Sequence, residues 1–229
     1  MKTIGLLGGT SWSSTPLFYN RINQKVLERL GGNHSAEIIL RSIDYDEIKS
    51  HYADGDWDEI ARLLKDRLMQ LAALKPDCLI ICNNTLHKAY NMIAGSLALP
   101  VPLFHMVEES IRTTQRQGMK KLLFLGTRFT MEDGFFTDSL RRAGFEADIP
   151  EAGDRDLIQS VQTPLSLGQI NPAFNAAMKN MLGRYKGYDG LVLGCTELPL
   201  VITATETDIP IINTIDAVCD AAVNFALEL

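Results

Sequence analysis

The chain has 229 residues, 46% of them hydrophobic and 22% charged, and its 22 basic and 28 acidic side chains leave a net charge of −6. That length can bury a sizeable core, as one long domain or two small lobes. The acidic balance argues against nucleic acid or an anionic membrane as partner, since neither would meet a basic field. No apolar signal segment opens the sequence and no run is long enough to span a bilayer, so a cytoplasmic location is expected. The four cysteines, Cys78, Cys82, Cys195 and Cys219, form no CxxC pair and no zinc-ligand cluster, so free thiols are expected.

In chain order, strands are predicted at Thr3–Leu7, Glu37–Ile43, Cys78–Cys82, Val101–Phe104, Lys121–Leu125, Glu146–Ile149, Leu191–Gly194 and Ile211–Asn213. They are continuous apolar runs, as strands covered on both faces require. Between them lie amphipathic stretches. Ser13-Ser14-Thr15-Pro16 reads as a cap with proline in the first turn, opening a helix that runs to about Leu30 and stops at Gly31-Gly32. Ile60, Leu63, Leu64, Leu68, Leu71 and Ala72 recur at helical spacing. The βαβα order predicts mainly parallel sheets flanked by helices. A boundary between Phe104 and Lys120 would separate a first α/β lobe, 1–104, from a second, 105–215. A last helix, about 216–229, is expected to pack back on the first lobe.

Several segments occur twice, about half a chain apart. Lys2–Thr10 is echoed by Lys121–Thr127, Leu79–Thr85 by Leu191–Glu197, and Leu99–Pro102 by Ile209–Ile212. A duplicated α/β unit offers two equivalent sets of strand ends, where open parallel sheets bind their ligands. Four polar segments follow such ends: Gly8–Trp12, Asn83–His87, Thr127–Thr130 and Cys195–Glu197. One by one they read as ordinary helix caps; together, at matching places in two repeats, they read as a site. Gly5-Leu6-Leu7-Gly8-Gly9 lacks the spacing of a dinucleotide fingerprint, although its backbone N–H groups could approach an anion.

Cys195 follows Gly194 at a strand end and precedes Thr196-Glu197-Leu198-Pro199, which reads as a helix start; a thiol there would have a lowered pKa. The echo places Asn83 at the equivalent position, and asparagine cannot exchange a proton near neutral pH. Cys82 should point to the opposite face from Asn83, because neighbouring strand residues do. Glu197 would tune Cys195 or cap a helix. His87 reads as a structural residue or a second contact to the site.

Gly8–Trp12, Asn84-Thr85-Leu86-His87, Leu125–Glu132 and Gly194–Glu197 together resemble the aspartate/glutamate racemase family, along the whole chain. The resemblance implies two pseudo-symmetric α/β lobes with the site in the cleft between them, in a homodimer. It implies racemisation without a cofactor or metal, through two acid/base residues that act on opposite faces of the substrate. Cys195 matches one of those positions. The other, cysteine in typical members and threonine in some, is Asn83 here. The resemblance points to Thr10, Ser11, Asn84, Thr85, Thr127, Thr130 and Thr196 as substrate contacts. A dicarboxylic substrate also needs a cation, for which Arg128 and Arg41 are the candidates, and Glu197 and His87 are the candidates for support.

The function expected is therefore an amino-acid racemase acting on aspartate, glutamate or both. The alternatives are a one-thiol decarboxylase or cis–trans isomerase of a small diacid, and an amino-acid-binding homologue with impaired chemistry.

Overall fold

A computed structural model describes residues 1–52 and 54–229. The chain divides into two compact units, Met1–Met106 together with Val218–Leu229, and Val107–Ala217. The first contains β1 (Ile4–Gly8), α1 (Thr15–Leu30), β2 (Ile38–Ser42), α2 (Asp46–Lys49), α3 (Trp57–Ala72), β3 (Cys78–Ile81), α4 (Leu86–Ile93) and β4 (Leu103–Phe104). Helix α5 (Met106–Arg116) begins at the division and leads into β5 (Lys121–Leu125), α6 (Arg128–Glu132), α7 (Phe135–Arg142), β6 (Glu146–Asp148), α8 (Ala152–Ser166), α9 (Pro172–Leu182), β7 (Gly190–Leu193) and β8 (Ile211–Asn213). Helix α10 (Thr214–Leu227) starts in the second unit and ends in the first. All eight predicted strands form, with ends moved by a residue or two. Among the described residues, no helix is long and apolar enough to cross a membrane.

Each unit holds one parallel four-stranded sheet, ordered β2-β1-β3-β4 in the first and β6-β5-β7-β8 in the second. The two orders are one topology written twice. The central strands β3 and β7 are buried at every residue, so their side chains are apolar on both faces. Burying one such Leu or Ile contributes about 1.5–3 kcal/mol. In the first unit α3 covers the sheet with Ile60, Leu64, Leu68, Leu71 and Ala72, the buried members of its apolar stripe. In the second, Phe124 of β5 stacks on Phe136 of α7, ring centroids 4.5 Å apart.

The end of α10 belongs to the first unit. Its Asp220 accepts from Lys25 at 3.0 Å and Arg29 at 2.6 Å, both on α1. The Lys2 amide donates to the Ala226 carbonyl at 2.9 Å, and Phe225 meets Phe104 edge-on at 5.7 Å.

One echo is corrected. The Leu79 amide donates to Pro102 O at 2.9 Å, and the Leu191 amide to Pro210 O at 2.8 Å. Pro102, not Pro100, therefore answers to Pro210. The alternation of proline with apolar residues in Leu99–Pro102 permits both alignments in sequence, and only the ladder distinguishes them.

Candidate active site

In the first unit the polar segments after β1 and β3 lie side by side, because these strands are neighbours. Gly9 makes the turn out of β1. Its φ of +92° and the place its Cβ would take, 2.2 Å from Ile43 O, admit only glycine. The Gly9 N–H, expected from sequence to be open to an anion, instead donates to Thr15 Oγ1 at 2.9 Å. Thr15 Oγ1 in turn donates to Ser11 O at 2.9 Å, which ties the loop to the start of α1. Thr10 is buried, and its hydroxyl donates to Cys82 O at 3.2 Å, joining the two strand ends. Ser11 Oγ lies 3.0 Å from Ser13 Oγ.

After β3, Asn83 Oδ1 accepts the Leu86 N–H at 2.8 Å and so closes the first turn of α4. Asn84 is buried, and the carbonyls of Asn84 and Thr85 accept from the amides of His87 and Lys88 in that same turn. Cys82 is fully buried; burial foremost, and Cys219 beside it, push its thiol well above the ordinary range. His87 is also fully buried. Its ring lies 4.1 Å from that of His105 and 6.4 Å from that of Tyr90, and its Nε2 accepts the Met106 N–H at 3.4 Å. Burial first, then His105, push its pKa well below 6.5, against the Ile81 backbone. These contacts hold the His87 ring within the first unit.

In the second unit β5 and β7 are neighbours, so the segments after them adjoin. Thr127 caps α6, its Oγ1 accepting the Thr130 N–H at 3.1 Å and lying 2.8 Å from Thr130 Oγ1. Arg128 is drawn towards α8: its guanidinium pairs with Asp156, and its backbone N–H donates to Gln159 Oε1 at 2.8 Å. Arg41, the other cation considered for a distal carboxylate, lies on β2 in the first unit and bonds Gln70 of α3.

Gly194 leads into the thiol. A Cβ there would lie 2.2 Å from the Phe124 ring, so glycine lets the backbone pass directly over that ring. Cys195 follows, 4% exposed, and its Sγ donates to Glu197 Oε2 at 2.9 Å. Thr196 Oγ1 donates to the same oxygen at 3.0 Å. Glu197 is 2% exposed and makes no capping bond to the turn that follows. The helix start read from sequence is a single 3₁₀ turn, Leu198–Leu200. The expected lowering of the thiol pKa is reversed: burial foremost, then the Glu197 carboxylate, push it well above the ordinary range, against the Glu197 and Leu198 backbone N–H groups. A buried thiolate loses its hydration, and one short turn offsets little of that loss.

Thr214 was not singled out from sequence. It is fully buried at the end of β8, and its hydroxyl donates to Leu193 O at 3.0 Å, two residues before Cys195. The signal was the Asn213-Thr214 pair after an apolar strand, the same kind of strand-end polar segment as the four that were recognised. Among the described residues, no group of three His, Cys, Asp or Glu side chains is arranged to hold a metal ion.

Residues 7–222 match the family model of the Asp/Glu/hydantoin racemases. The broad-specificity amino-acid racemase RacX of Bacillus subtilis (strain 168) is 26% identical over 216 residues, 92% of each chain. A crystal structure from Yersinia pestis, assigned to the Asp/Glu racemases, superposes with a TM-score of 0.87 at 36% identity, over 99% of this chain and 100% of that one. An aspartate racemase homologue from Pyrococcus horikoshii OT3 shares the fold, with a TM-score of 0.85 at 23% identity over 99% and 100% of the two chains.

Proposed function

Because the chain belongs to the Asp/Glu/hydantoin racemase family, we propose that it is an amino-acid racemase acting on aspartate, glutamate or both, with Cys195 as its principal acid/base. The observation that carries this reading is Cys195 itself: a thiol at a strand end, next to a glycine packed on the Phe124 ring and hydrogen-bonded to a buried carboxylate. As thiolate it would remove the α-proton, leaving the electron pair on the substrate as an enolate of the α-carboxylate. Asn83 cannot return a proton itself and would at best hold a water that does. Thr10, Ser11, Asn84, Thr85, Thr127, Thr130 and Thr196 are the contacts this reading assigns to the substrate. It also takes from the family a reaction without cofactor or metal and a homodimer, and from the sequence a cytoplasmic setting.

The test is deuterium incorporation at the α-carbon of L- and D-aspartate and glutamate in heavy water. Incorporation that falls by orders of magnitude in Cys195→Ser is the expected result, because a hydroxyl is a far weaker acid at working pH. Unchanged turnover in that variant would refute the assignment. The engagement of Asn83 Oδ1 by the Leu86 N–H favours a second reading, a one-thiol decarboxylase that protonates a single face. Release of carbon dioxide from a small diacid, without exchange into amino acids, would select it.

A further inference from the structure

The second unit holds a cavity that the reaction at Cys195 does not use. Its volume is about 610 Å³, and it lies where α9 runs out and β7 and β8 begin. Cys195 follows the opposite end of β7, about 13 Å away along four strand residues. We propose that this cavity is a separate binding site for a small zwitterion that carries an aromatic ring, the chemical class of phenylalanine and tyrosine.

The cavity falls within the size range of small-molecule sites, roughly 300–1,000 Å³. Its charged lining is balanced, with Lys179 and Lys186 against Glu206 and Asp208. Glu206 is already engaged. It accepts the Thr203 N–H and the hydroxyls of Thr203 and Thr205, each at 2.8 Å. Lys179, Lys186 and Asp208 enter no ion pair and no side-chain hydrogen bond among the described residues. Two ammonium groups and one carboxylate thus line one space without pairing. They suit a ligand of both signs, its carboxylate on the lysines and its ammonium on Asp208. A polyanion would meet the two carboxylates, and a simple cation the two lysines.

The apolar wall is aromatic. The Tyr185 and Tyr188 rings lie 6.4 Å apart between centroids, tilted by 52°. Their hydroxyls are spoken for: Tyr185 Oη donates to Asp154 Oδ2 at 2.7 Å and accepts the Glu151 N–H at 3.0 Å, and Tyr188 Oη donates to Asp148 Oδ2 at 3.1 Å. Anchored at that end, the rings offer carbon to the cavity, and tilted aromatic rings take a further ring edge-on or offset.

The first unit shows that the fold does not require this polar lining. The match of Pro102 to Pro210 aligns Leu97, Leu99 and Val101 with Thr205, Thr207 and Ile209. In the first unit all three pack on the core. In the second only Ile209 of the three does, and Ala98 and Pro100 become Glu206 and Asp208. One topology closes with apolar residues in one copy and opens a charged cavity in the other.

The experiment is isothermal titration calorimetry on the full chain at pH 7 with phenylalanine and three truncated probes. Phenylacetate lacks the ammonium, phenethylamine lacks the carboxylate, and alanine lacks the ring. Phenylalanine is expected to bind below about 10 mM, each charge-deleted probe at least about threefold more weakly and alanine at least about tenfold more weakly. Lys186→Ala and Asp208→Asn change exposed side chains, so the fold is kept, and each should weaken phenylalanine at least about threefold. Amide NMR shifts on binding should gather at residues 182–188 and 205–210. No binding of phenylalanine, binding of phenylacetate or phenethylamine as tight as phenylalanine, or binding that survives both variants overturns the proposal. So do shifts confined to residues 194–196, which would place the ligand at the thiol instead. The outcome is independent of α-proton exchange, so this site and the racemase reading stand or fall separately.

Discussion

Asn83 and Cys195 hold the same position in two copies of one sheet. The Cys82 amide donates to Leu7 O at 2.9 Å and the Gly194 amide to Leu125 O at 2.6 Å, each as the last ladder bond of its strand. The residue after each is the one in question. The amide three residues on then meets both side chains: Leu86 N–H bonds Asn83 Oδ1 at 2.8 Å, and Leu198 N–H acts on the Cys195 sulfur. The backbone thus offers one donor at both places. An amide oxygen there holds the first amide of α4, and a thiol there can in addition release a proton.

Asn83→Cys is expected to supply the missing acid/base group. In the wild type, exchange should be lopsided, rapid from one enantiomer and slow from its mirror image; the resemblance to members without the first cysteine points to the L-isomer as the fast one. The variant should raise exchange from the slow enantiomer by at least about tenfold, within the range general acid/base groups contribute. Loss of the Asn83 hydrogen bond to the Leu86 amide should cost about 0.5–1.5 kcal/mol of stability. Equal, fast exchange from both enantiomers in wild type would show that another group already serves as the second base.

Cys82→Ala is expected to leave exchange unchanged within about twofold and to lower stability by about 1 kcal/mol, as ordinary core substitutions do. Cys82 is fully buried with its thiol pushed up by burial. Exchange kinetics and a urea midpoint measure the two effects, and a large loss of exchange would give Cys82 a catalytic role.

Gly194→Ala drives a methyl group into the Phe124 ring. The expected cost is about 1–3 kcal/mol of stability, with a fall in exchange because Cys195 is the next residue. Adding Phe124→Leu should recover part of both. A single variant with wild-type melting temperature and exchange would show that Phe124 can move aside without cost.

The buried His87 predicts acid sensitivity. Its folded pKa lies below the ordinary 6.5, so folding favours the neutral ring. That contribution is fully present above about pH 6.5 and is lost as pH falls towards the folded pKa, with a slope of up to about 1.4 kcal/mol per pH unit for one proton. The groups beside it are His105, whose Nε2 lies 3.0 Å from Asn91 Oδ1, and Tyr90. Urea midpoints between about pH 7 and pH 5 should fall in wild type and fall less in His87→Gln. Equal pH slopes in the two would remove His87 as the cause.

The sequence alone determined the strands, their parallel order, the stops at Gly31 and Gly32 and the doubling of the unit, because apolar runs, helical spacing and glycine punctuation are local signals. It also determined which four polar segments follow strand ends and that Asn83 answers to Cys195, since repeat alignment needs no coordinates. Only the tertiary structure decided what those side chains do. Gly194 is required by a ring some seventy residues earlier in the chain, and Pro102 answers to Pro210 through a ladder bond. Arg128 and Arg41, plausible cations in sequence, are engaged by Asp156 and Gln70. The Cys195 thiol, expected to be acidic from its neighbours in sequence, is held protonated because acidity follows hydration and nearby charge. Both are properties of the space around the sulfur, and that space is made by residues brought there by folding.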